Sequence, residues 1–225
     1  MPSPSESRAA LQLVTAEAVA TANEALSRST GSPEARRLVL LDAVPEVVGY
    51  YSLGSAALAA DFYEEARETA QVGTRFTPEL VVADRTVKLR RALAWSAEPL
   101  FTGLEADAAG RLAEVVQLEV ARPYRDTITS NRRQDPESVG WRRITAGGCK
   151  FCRMLAHKGA IYREATARFA AHPNCHCTAE PVFRTNDTGE TASVMQYVAS
   201  KRRRSPEEKA RLRDYLDTYY ADFPG

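Results

Sequence analysis

All four cysteines of this chain fall between positions 149 and 177, and that clustering constrains the fold more than any other feature. The run Gly147-Gly148-Cys149-Lys150-Phe151-Cys152 opens the window, and His172-Pro173-Asn174-Cys175-His176-Cys177 closes it. All three histidines lie inside it as well, His157 among them. Thiols scattered at random over 225 residues would rarely gather so tightly. Two pairs of soft ligands, one at each end of a loop-rich segment, close a tetrahedral metal site. Thiolate and imidazole together select zinc over magnesium or calcium.

The spacing is Cys-x2-Cys, a gap, then His-x2-Cys-x-Cys. Two residues between Cys149 and Cys152 let both sulfurs face one ion. The second half over-supplies ligands, because His172, Cys175, His176 and Cys177 compete for two places. If 175–177 is extended, the two cysteines point to one side and His176 to the other, which makes His176 the least favoured ligand. The expected site is a structural Zn2+ held by four of Cys149, Cys152, His172, Cys175 and Cys177. His157 stands beside Lys158 and reads as a surface residue. A disulfide framework is the alternative for an oxidising compartment. A DNA-reading finger would pair Cys149 and Cys152 with His172 and His176, across a gap longer than the dozen or so residues that class uses. A hydrolytic zinc centre would need an open position and a general base, yet the chain has no His-Glu-x-x-His and no deaminase signature.

Charge decides little in favour of nucleic acid. Thirty basic and twenty-nine acidic residues leave a net charge of +1, so a global electrostatic footprint is missing. The run Lys201, Arg202, Arg203 and Arg204 is a local candidate for phosphate or partner contact, weighed against an ordinary solvated lead-in to a helix. Arg132, Arg133, Arg142 and Arg143 could extend that patch. The N-terminus carries no basic region followed by an apolar core, so a reducing compartment is expected, which favours metal over disulfides. The most apolar stretch, 38–60, is broken by Asp42, Pro45 and Glu46 and reads as buried helix, with no membrane span.

Periodicity before residue 140 is helical. After frayed first residues, Leu11, Val14, Ala18, Ala22 and Leu26 predict a helix over 6–26. Ser32-Pro33-Glu34 starts a second, expected to end near Ala43, with Val44-Pro45 as a break. A third is expected over 46–70, with Val47, Tyr50, Leu53, Ala57, Ala60 and Tyr63 as its stripe and Asp61, Glu64, Glu65 and Arg67 as a solvated face. Thr77-Pro78-Glu79 predicts a helix start running to about Phe101. A last bundle helix is expected over 105–130, kinked or divided at Pro123. Residues 131–140 read as a linker. The fold class is therefore mainly α: an N-terminal helical bundle over 1–135, then a small zinc-binding module of short strands and loops over 136–185. A polar linker and C-terminal helix fill 186–225, with Ser205-Pro206-Glu207-Glu208 as the helix start.

Beyond these patterns lies a resemblance. The runs Cys149-Lys150-Phe151-Cys152-Arg153-Met154-Leu155-Ala156, Gly159-Ala160-Ile161-Tyr162, His172-Pro173-Asn174-Cys175-His176-Cys177 and Pro181-Val182-Phe183 carry it, together with Ala59-Ala60-Asp61-Phe62-Tyr63-Glu64. The chain resembles the MuF-like minor head proteins of tailed bacteriophages, in the versions from phages of actinobacteria. The cysteine module is the specific part, over roughly 140–185, and the helices match in order and texture. The resemblance implies a low-copy minor capsid protein, located in the virion at the capsid interior or portal vertex and in host cytoplasm during assembly. Its implied partners are the portal protein and other capsid proteins, with packaged DNA as a further contact and no membrane. Its implied role is head assembly, genome packaging or delivery. No catalytic residue carries over, so a structural protein is expected and not an enzyme. His176 stands where many relatives have arginine, which leaves the ligand choice open. The alternatives are a zinc-dependent hydrolase or nuclease, and a nucleic-acid-binding zinc module.

Overall fold

The computed structural model describes residues 3–145, 150–164, 169, 171–172, 174–189, 191 and 205–220. Six α-helices and a three-stranded antiparallel sheet are present among them. The mainly helical bundle with a small strand-and-loop module is the architecture observed. No helix among the described residues is long and apolar enough to cross a membrane.

Helix α1 (Pro4–Arg28) begins earlier than its periodicity predicts. Ser3 accepts from the Glu6 N–H at 3.3 Å and donates its own N–H to the Glu6 carboxylate at 2.5 Å, with Pro4 in the first turn. That reciprocal cap satisfies donors that would otherwise fray. Helix α2 (Pro33–Thr69) is unbroken, contrary to the break expected at Pro45. Proline there removes the hydrogen bond to the Leu41 carbonyl. Arg90 Nη1 takes that carbonyl instead, at 3.0 Å. Val44 and Val48, buried on both sides of the proline, anchor the continuous helix in the core.

The buried stripe of α2 also differs from the expected one. Tyr50 is 74 % exposed and Leu53 57 %, while Ser52, Ser55, Ala56, Ala59 and Phe62 face inward. The small size of Ser52, Ser55, Ala56 and Ala59 lets α2 pack against α1 and α4 without large side chains in between. Arg67 is not part of a solvated face either. It is buried and pairs with the buried Asp135, which also accepts from Tyr63 Oη at 3.1 Å.

The predicted helix start at Thr77 is absent, and helix α3 (Thr86–Ser96) is much shorter than expected. The segment before it is irregular, and α4 (Glu105–Gln134) takes its backbone hydrogen bonds. Asn131 Oδ1 accepts the Glu79 N–H at 2.8 Å, Asn131 Nδ2 donates to the Glu79 carbonyl at 2.8 Å, and Thr127 accepts the Val81 N–H at 3.0 Å. Those bonds compete with, and here replace, the i→i−4 ladder of a helix. Pro123 lies inside the undivided α4, and the helix runs on into the expected linker as far as Gln134, with Asn131 and Arg132 buried on it.

Strand β1 (Ser138–Ile144) pairs antiparallel with β2 (Ile161–Tyr162) on one edge and β3 (Thr178–Phe183) on the other. Trp141 sits opposite Tyr162 and Pro181. A sheet this short cannot stand alone in water. Trp141, Tyr162, Ala179 and Phe183 join Phe62, Tyr63, Tyr124 and Ile128 of the helices in one core. Each large side chain buried there contributes roughly 1.5–3 kcal/mol. A second core, with Leu26, Leu40, Val44, Leu93, Leu112 and Val116, fills the other end of the bundle. The short helix α5 (Lys150–Ala156) follows β1, and α6 (Pro206–Tyr220) packs on it. Ser205 and Glu208 cap α6 reciprocally, as the sequence predicts.

Candidate metal centre

The site is assembled from two pieces that the sheet brings together. α5 presents Cys152 in its first turn. The stretch before β3 presents His172, Cys175 and Cys177. Asn174, at φ 58°, takes a left-handed conformation that asparagine tolerates, and the Cys175 N–H donates to the His172 carbonyl at 3.1 Å. This tight turn is why a His-x2-Cys spacing can aim both side chains at one point. Beyond it the chain is extended. Cys175 and Cys177 are buried at 2 % and 3 % exposure, while His176 between them is exposed. That is the alternation expected of an extended segment.

Cys152 Sγ lies 3.9 Å from Cys175 Sγ and 3.2 Å from His172 Nε2. The candidate donor atoms of Cys152, His172 and Cys175 all lie within 4.8 Å of one another, so this group could hold a metal ion. A tetrahedral zinc with bonds of about 2.3 Å to sulfur and 2.0 Å to nitrogen sets two sulfurs roughly 3.8 Å apart, and a sulfur and a nitrogen roughly 3.5 Å apart. The residues fit that spacing. A disulfide needs sulfurs about 2.05 Å apart, and Cys152, Cys175 and Cys177 are free thiols. Cys177 is outside the group of three but belongs to the same buried cluster, with Phe169 packed against it. Cys149 lies outside the described residues, as do Lys201, Arg202, Arg203 and Arg204. His157, expected at the surface, is half-buried in the turn after α5.

The electrostatics suit a cation. The Cys175 thiol is pulled well below its ordinary range by hydrogen bonds from Cys152 and Cys177 and by the Arg125 guanidinium, against the opposing effect of burial. Cys152 is pushed up, first by its hydrogen bonds to Cys175 and Cys177, then by burial and by the like charge of those sulfurs. A divalent ion relieves that repulsion and lets several thiols lose their protons together.

Several residues of the site escaped the sequence reading. Arg125 donates through Nε to the Cys177 carbonyl at 3.0 Å and through Nη2 to the Cys175 carbonyl at 2.6 Å. Gln117 Nε2 donates to the same Cys175 carbonyl at 2.9 Å. Arg143 Nη1 lies 3.9 Å from both Cys152 Sγ and Cys175 Sγ. A signal was available: Gln117, Ala121 and Arg125 recur at steps of four on the buried face of α4, and a polar residue on such a stripe needs a buried partner. Arg132 and Arg143, expected as parts of a surface basic patch, are buried instead. Arg132 donates to the carbonyls of Val139 and Arg163. Chain position alone does not separate an exposed arginine from one whose donors satisfy buried carbonyls.

Comparisons with curated proteins and with solved structures give no match. The profile of the VG15 protein family matches residues 3–200, a span that takes in both the bundle and the cysteine module. The chain therefore belongs to the VG15 protein family, a family of phage virion genes, and is a phage virion-associated protein.

Proposed function

We propose that this protein is a minor head protein of the MuF-like kind, present in few copies and bound to the portal or to its capsid neighbours. It would act in head assembly, genome packaging or delivery through protein contacts. Membership of a phage virion-gene family over 3–200 is the observation that carries the reading. The cysteine cluster supports it as a structural zinc site. Its donors are buried or half-buried and are backed by buried side chains from α4 and β1, an arrangement that stabilises a small sheet module rather than exposing a reactive ion. The virion would be its location, and the portal and capsid proteins its partners.

The test is quantitative mass spectrometry of purified virions and DNA-free proheads of the phage, followed by capture of the portal with the tagged protein. The reading expects the protein in virions at a small fraction of the major capsid protein's copy number, and direct portal binding in the purified pair. Absence from both particles would overturn the reading.

A further inference from the structure

Arg125 and Arg143 come from different elements, α4 and β1, and converge on the cysteine cluster. Each is only 3 % exposed. A buried guanidinium is costly unless charge and hydrogen bonds compensate it. Arg125 donates through Nε to the Cys177 carbonyl at 3.0 Å and through Nη2 to the Cys175 carbonyl at 2.6 Å. Phe169 is near both cations, its ring centroid 3.9 Å from Arg143 Cζ and 5.0 Å from Arg125 Cζ. An aromatic face stabilises cations at that range, so the ring holds both side chains in place. Arg143 Nη1 lies 3.9 Å from both Cys152 Sγ and Cys175 Sγ, so negative charge on those sulfurs meets a guanidinium.

We propose that Arg125 and Arg143 are positioning residues of the metal centre. Arg143 offsets the charge of the Cys152 and Cys175 sulfurs facing a divalent ion, while Arg125, with Gln117, fixes the backbone of residues 175–177 to α4. The proposal rests on the reading of the cluster as a metal site. It makes metal affinity depend on two cations outside the coordination shell, and it ties the module to the bundle through the same residues that carry the ligands.

The experiment uses the full chain, stripped of metal under reductant, titrated with Co2+ and then with Zn2+ in competition. Arg143→Gln should weaken zinc binding by about 10- to 100-fold, the usual effect of removing an outer-shell partner. It should also alter the thiolate-to-cobalt charge-transfer bands, which loss of packing elsewhere would leave unchanged. Arg143→Lys keeps the charge and should restore most of the affinity. Arg125→Lys should restore less over Arg125→Met, because an ammonium cannot span both carbonyls as the guanidinium fork does. Gln117→Leu removes one of the three donors and serves if Arg125→Met does not fold. Wild-type protein that binds metal, with Arg143→Gln and Gln117→Leu folded and matching it within twofold in affinity and spectrum, overturns this proposal alone. Wild-type protein that binds no metal overturns the metal reading and this proposal with it.

Discussion

Cys152 Sγ and Cys175 Sγ stand 3.9 Å apart across the gap between α5 and the start of β3, a separation suited to two thiolates on one ion and too long for a disulfide. It follows that chelation at neutral pH should loosen the module first. Hydrogen exchange is expected to rise in 150–156 and 174–183 while the core of α2 and α4 stays protected, and zinc should reverse the change. Cys175→Ser should show the same pattern without chelator. Equal loss of protection throughout the bundle would contradict it.

Asp135, at the end of α4, is the buried partner of Arg67 and accepts from Tyr63 Oη. Arg67 also donates to the Thr74 carbonyl at 2.5 Å, so one network joins the ends of α2 and α4. Asp135→Ala would strand the guanidinium. We expect a loss of about 3–5 kcal/mol, as for other buried pairs broken on one side. Tyr63→Phe should cost about 1 kcal/mol. Urea midpoints of the two variants check the ordering.

Ser7 of α1 and Tyr124 of α4 share a hydrogen bond of 2.6 Å, and both residues are buried. Ser7→Ala leaves the phenol unsatisfied and should destabilise by about 1–3 kcal/mol. Tyr124→Phe with Ser7→Ala should recover part of that loss, since a pair removed together strands nothing. A double mutant no better than the sum of the singles would refute the coupling.

Gly140 sits on β1 where a Cβ would come within 2.6 Å of Ile161 Cγ2 and 3.0 Å of the Tyr162 carbonyl. Gly140→Val should force β2 away from β1 and cost about 1–3 kcal/mol, as overpacking does. Exchange protection of the Tyr162 amide reports this directly. Gly110, which has open space around the position of a Cβ, is the control.

Acid should act on two kinds of carboxylate in opposite senses. Burial raises Glu119, but hydrogen bonding from Arg85 and the charge of Arg122 outweigh it and leave its pKa below the ordinary range. Its stabilising share is present above the unfolded carboxylate pKa and is lost as pH falls through the lower folded value. Glu180 is raised by burial, only partly opposed by Arg142, so its cost at neutral pH is relieved as pH falls through its raised value. Glu119→Gln should therefore flatten the acid limb of the stability curve, and Glu180→Gln should raise stability near neutrality while leaving that limb in place. Urea midpoints from pH 7 to pH 3 distinguish them.

The helices and the metal donors were legible from sequence to different depths. The apolar steps of α1 and α4 follow directly from their periodicity, and the turn at Asn174 makes the spacing of His172 and Cys175 meaningful. Pro45 misled, because the arginine that satisfies the Leu41 carbonyl is 49 residues away. Thr77-Pro78-Glu79 misled for a similar reason, since Asn131 and Thr127 of a distant helix claim that backbone. Tyr50 and Leu53 have the size of core residues but stay exposed, because close helix contact calls for Ser52, Ser55 and Ala56. Each failure is a tertiary contact overriding a local preference. Arg125 and Arg143 belong with them: their charge suggested a surface, and only the fold shows the sulfurs and carbonyls they meet.

The most direct test of the account is native mass spectrometry of the full chain purified without chelator, paired with thiol counting before and after the metal is stripped. The account predicts a mass raised by one zinc per chain, with the thiols of Cys152 and Cys175 shielded from alkylation until the ion is removed. A metal-free mass lowered by the hydrogens lost in disulfide formation would contradict it.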